Sequence, residues 1–476
     1  MDTYEFVNKI KNNEIDIVEH THKVIEECKK INKEYNYLNV ISEELALEQA
    51  KNIKKSIKNK ENIKNKKLLG VAVSVKDSIC VKNVESAAGS RILKGYKPLF
   101  DATVIKKAKE QGAIIIGKTS QDEFGFGGFS VNVGLSFKIP KNPFDKQRSC
   151  GGSSGGAAGI TQKASFPHIA LGESTGGSIA EPSSFCGVFG LCPTYGRVSR
   201  YGLIDYANSL DKIGPMGKSL QEVALLQETI SGFDQNESTT INKSADNYTD
   251  FTNKKIKNVK IGIIKEAFEN IDNKVNKKTL EGIKKLEEAG IKTEEVSLKM
   301  PIKYGLATYY MLATSEASTN LAKYCGMRYG ISEKLEGNFN EYFTKVRSSN
   351  FGAEAKRRII LGTFARMSGY RDAYYIKATK VRTKIVNEYK KLFKKYDALI
   401  SPTVPILPPK FSEIEKLTPL QQYMIDTITV SPNVAGLPHL NVPVGFENNL
   451  PVGMLLTADH LEEGKLIQLG SLFEKN

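Results

Sequence analysis

The sequence lacks the features that mark secreted, zinc-binding and membrane-spanning proteins. Its 476 residues include no tryptophan, only five histidines and six cysteines. The cysteines form no CxxC pair and lie near too few histidines to predict a metal site, and their scatter is typical of a reducing cytoplasm. No apolar run is long enough to span a membrane, and the acidic N-terminal segment does not resemble a signal peptide. We therefore expect a globular cytoplasmic protein without metal.

Acidic residues are fewer than basic ones. Lys and Arg number 68 against 53 for Asp and Glu, which gives a net charge of +15. Such an excess suits a polyanionic partner such as RNA. It is also diffuse and rich in lysine, and runs such as KNIKKSIKNKENIKNKK (51–67) are typical of a solvated surface. Both interpretations stay open.

Helical and strand patterns alternate along most of the chain. Apolar spacing predicts helices over 16–39 and 42–57, so we expect an N-terminal helical segment over 1–60. The rest, 61–476, is predicted to form one large α/β domain with a polar insertion near 232–256. There LLGVAVSVKDSI (68–79) alternates as a strand, and a predicted helix over 101–112 leads into the strand AIIIG (113–117). This rhythm predicts a sheet covered by helices on both faces.

One nucleotide-binding pattern is misleading. The segment GAIIIGKT (112–119) satisfies GxxxxGK[ST], but its middle residues are apolar and mostly β-branched. A phosphate-binding loop must turn and offer backbone N–H groups, whereas these residues favour a buried strand. We therefore predict no ATP site here.

A lysine and two glycine-serine clusters carry the chemistry. Alternation places Lys76 at a strand end on the same face as small residues. The segment RSCGGSSGGAAG (148–159) surrounds Ser153 and Ser154 with glycine, and GESTGGSIAEPSS (172–184) does the same for Ser178. Together they could supply a base, a proton relay and a nucleophile. A neutral lysine needs its pKa lowered by about 3 units, which only burial and like-charge repulsion would supply.

The second cluster also predicts an oxyanion hole, because glycine allows successive N–H groups at Thr175, Gly176 and Gly177 to converge. Histidine is the usual base for a serine nucleophile, but this chain offers poor candidates. His168 and His439 lie in strand-like runs, where a structural role is the better interpretation.

The segments GVAVSVKDSI (70–79), CGGSSGGAAG (150–159) and GESTGGSIAEPSSFCGVFGLCPTYG (172–196) resemble the amidase signature family in order and spacing. The resemblance implies a mixed β-sheet core and a Ser–Ser–Lys triad. It assigns Lys76 as the base, Ser153 as a relay serine held by a cis peptide, and Ser178 as the nucleophile. Ser154 is the neighbouring alternative to Ser153, because the stretch between the two motifs is one residue longer than usual.

Three further segments, near 193–216, 314–330 and 357–382, resemble the glutamine-hydrolysing branch of that family, which works in tRNA-dependent amidotransferases. The resemblance implies that Arg358, with Arg357 as a rival, holds the glutamine carboxylate, that Asp426 holds its ammonium and that Tyr309 lines the pocket. It also implies two partners, the B and C subunits of such an enzyme. A partner would bind ATP and Mg²⁺ and convert misacylated Glu-tRNA(Gln) or Asp-tRNA(Asn), so no cofactor is expected on this chain.

Two residues depart from the family pattern. Ser174 and Ala180 stand where the family commonly has Asp and Arg, so an ion pair beside the nucleophile is expected to be missing. Two alternative functions stay open, namely a free-standing amidase of small amides and a non-catalytic RNA-binding or scaffold subunit.

Overall fold

The computed structural model describes residues 1–59 and 63–474. One mixed sheet of 11 strands organises this part of the chain. In chain order the strands are β1 (Leu38–Ile41), β2 (Ala72–Lys76), β3 (Ile114–Thr119), β4 (His168–Ser174), β5 (Phe189–Cys192), β6 (Lys212–Gly217), β7 (Lys260–Ile264), β8 (Lys292–Val296), β9 (Ala398–Pro402), β10 (His439–Glu447) and β11 (Leu450–Ala458).

Helices flank the sheet along its length. They are α1 (Thr3–Lys11), α2 (Ile17–Tyr35), α3 (Glu43–Lys58), α4 (Thr103–Glu110), α5 (Gly155–Lys163), α6 (Ala180–Cys186), α7 (Leu220–Ile230), α8 (Asn273–Glu288), α9 (Lys299–Asn320), α10 (Phe339–Asn350), α11 (Ala353–Arg366), α12 (Lys377–Phe393), α13 (Phe411–Ile414), α14 (Pro419–Tyr423), α15 (Val430–Val434) and α16 (Glu463–Gly470). Within the described residues, none of these helices has both the length and the apolar composition needed to cross a membrane.

The strand order is β1-β3-β2-β4-β6-β5-β10-β11-β9-β7-β8. The pairs β2–β3, β2–β4, β7–β8 and β7–β9 are parallel, and the other neighbours are antiparallel. On β10, Leu440 lies in an apolar cluster with Leu466 of α16. The next residue, Asn441, donates to the carbonyl of Val188, just after α6. Because successive strand residues face opposite sides, helices cover both faces, which confirms the predicted α/β class.

The N-terminal segment contains a strand as well as helices. The helix predicted over 16–39 ends instead at Tyr35, because Asn36 adopts a left-handed conformation with φ of 62°. The next residues form β1, which pairs antiparallel with β3. The prediction of one helix up to Asn39 was therefore wrong at its end. The predicted boundary between 60 and 61 lies outside the described residues, as does residue 476, and the division into two segments stays a prediction.

The false nucleotide-binding pattern forms β3, as predicted. Its lysine, Lys118, is fully buried, and its Nζ donates to the carbonyls of Asp77 (3.1 Å) and Ile79 (2.6 Å) and to the hydroxyl of Ser86 (2.7 Å). These three acceptors pair with the amino group of Lys118 inside the protein. Lys118 therefore has a structural role in holding the segment that follows β2.

Candidate active site

The parallel pairing of β2 and β4 brings the predicted base to the second glycine-serine cluster. Val75 lies opposite Leu171, so Lys76 at the end of β2 comes level with the last residues of β4. The chain then passes through residues 175–179 into α6. Carboxyl ends of parallel strands are common positions for ligand and catalytic groups. This edge of the sheet is therefore the candidate active site.

Lys76 is completely buried and touches three acceptors. Its Nζ lies 2.7 Å from the Ser153 Oγ, 2.8 Å from the Glu173 carbonyl oxygen and 2.9 Å from Glu173 Oε2. The burial agrees with the expectation from sequence. The contact with a carboxylate opposes the expected like-charge neutralisation, because an opposite charge at this distance favours the ammonium form.

Ser153, rather than Ser154, contacts the lysine. The peptide bond between Gly152 and Ser153 is cis, as the family resemblance implies. The Ser154 hydroxyl instead donates to the Glu173 carbonyl oxygen at 3.1 Å. A side chain at position 152 would meet the Asp122 carboxylate at 2.3 Å, so glycine is required there.

Ser178 lies in the loop before α6 and is 7% exposed. Its hydroxyl makes no hydrogen bond to another residue in the described part of the chain, so the step from Ser178 to Ser153 stays a prediction. Two side-chain hydrogen bonds hold the backbone of this loop. Asn433 donates to the carbonyl of Thr175, and the Ser174 hydroxyl donates to the carbonyl of Gly176 at 3.0 Å.

The backbone N–H groups of the loop are available as donors. Across 1–59 and 63–474, we find no hydrogen bond donated by the N–H groups of Thr175, Gly176, Gly177 or Ser178. Unpaired N–H groups at one turn can stabilise a developing negative charge on oxygen. The geometry is therefore compatible with the predicted oxyanion hole. Ala180 is buried at the start of α6 and supplies no guanidinium next to Ser178.

Arg358 and Arg357 differ in burial, although both pair with Glu354. Arg358 is 2% exposed, and its guanidinium donates to Glu354 at 2.7 Å and to the Tyr206 hydroxyl at 2.5 Å. Aromatic rings surround it, with their centroids 5.1 to 5.6 Å from its Cζ: Phe126, Tyr206, Tyr310 and Tyr423. The Arg357 side chain is 41% exposed and pairs with Oε2 of Glu354. Of the two, Arg358 is the one that reaches the interior.

Asp426 lies beside a second buried carboxyl group. A Cβ at Gly128 would lie 3.1 Å from Glu181 Oε2 and 3.5 Å from Asp426 Oδ1, so both carboxyl groups border the same point. The Tyr310 hydroxyl donates to Asp426 at 2.6 Å, and the Thr429 hydroxyl donates to Glu181 at 2.8 Å. Burial raises the pKa of Asp426, and burial together with the Asp426 charge raises the pKa of Glu181. A bound cation would relieve this repulsion.

Tyr309 joins these groups to the glycine loop. It is buried on α9, and its ring and hydroxyl lie 3.0 to 3.2 Å from the position that a Cβ of Gly176 would occupy. Burial, with the nearby Tyr206 and Asp426, raises the pKa of its phenol, so the phenol stays neutral. Of the predicted pocket residues, Tyr309 thus borders the predicted oxyanion loop.

Sequence reasoning identified Asp426 but missed three buried glutamates of this site. Glu173 contacts the base, Glu181 contacts the Asp426 region and Glu354 holds Arg358. One signal was available for Glu173, since an acidic residue at a buried strand end, next to a strand that ends in lysine, predicts an ion pair. A local signal was available for Glu354 as well, because it precedes Arg358 by four residues on α11, the spacing of a helical ion pair.

Comparison with known proteins identifies the family. The Amidase family model matches residues 19–467. A protein of Sulfurihydrogenibium sp. (strain YO3AOP1), named as the A subunit of glutamyl-tRNA(Gln) amidotransferase, is 41% identical over 471 residues, 99% of this chain and 96% of that protein. The crystal structure of the protein of the same name from Thermotoga maritima is 36% identical, with a TM-score of 0.78 over 96% of this chain and 92% of that one.

A more distant structure shows how widely the fold is shared. A bacterial aryl acylamidase is 21% identical and superposes with a TM-score of 0.83 over 100% of this chain and 96% of that one. The family model, the sequence relatives and the motifs of the site agree. The chain belongs to the amidase signature family.

Proposed function

We propose that this chain is the glutamine-hydrolysing subunit of a tRNA-dependent amidotransferase. The observation that carries the proposal is the 41% identity to the A subunit of a glutamyl-tRNA(Gln) amidotransferase across 99% of this chain. The chain would release ammonia from glutamine. A partner subunit would use the ammonia, with ATP, to convert Glu-tRNA(Gln) or Asp-tRNA(Asn) into the correctly amidated tRNA.

The proposed reaction uses Ser178, Ser153 and Lys76 in that order. Ser178 Oγ attacks the side-chain amide carbon of glutamine, Ser153 passes the proton of Ser178 towards Lys76, and the N–H groups of Thr175, Gly176 and Gly177 stabilise the oxyanion. Ammonia leaves and a γ-glutamyl ester forms on Ser178. Water then hydrolyses the ester to glutamate. The 2.7 Å contact between Lys76 and Ser153 supports the inner half of this relay.

Glutamine offers a carboxylate, an ammonium and an amide, and the pocket has a partner for each. Arg358 would bind the carboxylate, because its guanidinium is buried and planar and suits bidentate contacts. Asp426, with Glu181 beside it, would bind the ammonium, and Tyr309 would form a wall next to the oxyanion loop. The aromatic rings around Arg358 exclude water, which strengthens its attraction for an anion.

The remaining steps would take place on other chains. We assign ATP and Mg²⁺ to the partner that corresponds to the B subunit of such enzymes. The C subunit would be the third component of a cytoplasmic complex. Misacylated tRNA would be bound mainly through the partner. This division is consistent with the conformation of GAIIIGKT, because most of the segment forms the buried strand β3 and not a phosphate-binding loop.

The proposal is tested by comparing the purified chain with the assembled complex. We expect glutamine hydrolysis by the chain alone to be weak and to rise when the B and C subunits, ATP and misacylated tRNA are added. Amidated tRNA and released glutamate are both measured. Strong glutaminase activity that ignores every addition would identify a free-standing amidase instead.

The pocket assignment predicts different effects at two adjacent arginines. Arg358→Gln should raise KM for glutamine by about 10- to 150-fold, which corresponds to the loss of one charged hydrogen-bonded contact of about 1.5–3 kcal/mol. Arg357→Gln is the matched control and should change KM by less than about twofold, because exposed ion pairs contribute little. Steady-state glutaminase assays give both values. Equal effects of the two substitutions on KM would contradict the assignment of Arg358 to the glutamine carboxylate.

The two adjacent serines provide another matched pair. Ser153→Ala should lower kcat for glutamine hydrolysis by about 10²–10⁴-fold, the range expected for the loss of a proton-transfer group. Ser154→Ala should cost less than about tenfold, because its hydroxyl donates only to the Glu173 carbonyl. Kinetics of both variants, with thermal melts to verify folding, decide between them. A larger loss at Ser154 would move the relay role to that residue.

A further inference from the structure

The carboxylate of Glu173 touches the proposed base, yet the relay described so far gives it no task. We propose that Glu173 takes the Lys76 proton during acylation and returns it afterwards, so that base and acid work as one unit. This inference rests on the proposed chemistry at Ser178. It deepens that proposal by adding a positioning and proton-storing residue.

The contacts of Lys76 indicate that it rests as an ammonium. An ammonium has three N–H donors, and Nζ has three acceptors at 2.7, 2.8 and 2.9 Å. The side chain is 0% exposed, so no donor is directed to bulk water. Every proton of the ammonium is therefore paired inside the protein. Such a lysine cannot accept a proton from Ser153 until it has released one.

A chain of hydrogen bonds keeps Glu173 ionised at rest. The Thr175 hydroxyl lies 3.0 Å from Glu173 Oε1 and 2.7 Å from Asp211 Oδ1, but it has only one proton to donate. If Asp211 carries a proton on Oδ1, it donates to Thr175 and Thr175 donates to Glu173. The other oxygen of Asp211 accepts the N–H groups of Tyr206 and Ala207 at 2.9 Å each. Burial and the charge of Glu173 raise the pKa of Asp211, in agreement with this placement.

The proposed step balances within these residues. An N–H bond of Lys76 breaks and an O–H bond forms on Glu173 Oε2, which gives a neutral amine and a neutral carboxylic acid. The amine then takes the Ser153 proton while Ser153 takes the Ser178 proton, and Ser178 Oγ bonds to the amide carbon. Lys76 is again an ammonium, and it returns a proton through Ser153 to the amide nitrogen as the C–N bond breaks, so that ammonia leaves. Glu173 then gives its proton back to Lys76.

Other titratable or charged groups near the Lys76–Glu173 pair must be separated from its effect. They are Asp122, Cys192, Tyr206 and Asp211, with Arg200 next to Asp211. Burial raises the pKa of Asp122 to about 6, and the charge of Lys76 acts against that rise. Asp122 is therefore mostly ionised over the pH range of the test below. The informative quantity is the ratio of the two rates at each pH.

The test measures activation of Ser178 without relying on glutamine. The full-length chain is treated with phenylmethanesulfonyl fluoride between about pH 6.5 and 9, and sulfonylation of Ser178 is followed by mass spectrometry. Wild type and Glu173→Gln are compared. In the variant the amine must lose its proton to solvent, so we expect the ratio of wild-type to variant rate to fall about tenfold per pH unit until the amine is neutral. The variant should approach the wild-type rate at the alkaline end.

Glu222→Gln is the matched control. Glu222 accepts hydrogen bonds from Thr3 and from the backbone at the start of α7, away from the site. The ratio of the wild-type to the Glu222→Gln sulfonylation rate should therefore not vary with pH. A constant ratio for Glu173→Gln would assign Glu173 a structural role only and overturn the inference. If that variant fails to fold, a wild-type rate that itself rises tenfold per pH unit would also overturn it. Wild-type sulfonylation together with no glutamine hydrolysis by the assembled complex would instead refute the proposed function and leave the inference standing.

Discussion

Ser178→Ala is expected to abolish glutamine-dependent amidation of tRNA by the assembled enzyme and to leave amidation from added ammonium intact. The substitution removes the nucleophile, and loss of a serine nucleophile can cost about 10⁶-fold in kcat. Ammonium bypasses the missing step, because it supplies directly what glutamine hydrolysis would release. The measurement is the rate of amidated-tRNA formation with each nitrogen donor.

The two-donor assay also separates this function from the scaffold alternative. A non-catalytic subunit would keep glutamine-dependent transfer after Ser178→Ala. The matched control is Ser165→Ala, since Ser165 is an exposed serine whose side chain bonds only Glu27. It should leave both nitrogen donors fully usable. Loss of ammonium-dependent transfer in Ser178→Ala would show damage to the assembly instead of loss of the nucleophile.

Lys76→Met is expected to lower kcat for glutamine hydrolysis by about 10³–10⁴-fold and to change KM little. The substitution keeps the length of the side chain and removes its proton-transfer group, whose contribution in enzymes reaches about 10⁴-fold. In the proposed pocket, Arg358 and Asp426 would bind glutamine, and this change does not touch either of them. Single-turnover rates and KM of the purified complex test the prediction.

Stability must be controlled in that experiment, because Lys76→Met leaves the Glu173 carboxylate buried without its cation. Breaking a buried ion pair on one side costs about 3–5 kcal/mol. The double variant Lys76→Met with Glu173→Gln removes both charges and should recover most of the lost melting temperature. It should nevertheless remain inactive. Recovery of activity in the double variant would contradict the role of Lys76 as the base.

The local parts of the site could be predicted from the sequence. Alternation over 68–79 placed Lys76 at the end of a strand, and the glycine-serine clusters marked Ser153 and Ser178. These features depend on a few neighbouring residues, so the pattern contains enough information. The same holds for GAIIIGKT, where runs of isoleucine already favoured a strand over a phosphate loop.

The parts that depend on distant residues could not be predicted in this way. Leu38–Ile41 follows a long amphipathic helix, and its strand conformation comes from pairing with β3. The inward direction of Arg358 depends on Tyr206 and on aromatic rings from several elements. The contact between Lys76 and Glu173 forms because β2 and β4 are parallel neighbours.

Trapping the acyl-enzyme is the most direct test of the account. The complex is mixed with glutamine, quenched with acid within one turnover and digested for peptide mass spectrometry. We predict a glutamyl ester on the peptide that contains Ser178, lower occupancy in Ser153→Ala and none in Ser178→Ala. An ester on Ser153 or Ser154, or rapid glutamate release by Ser178→Ala, would contradict the assignment of Ser178 as the nucleophile.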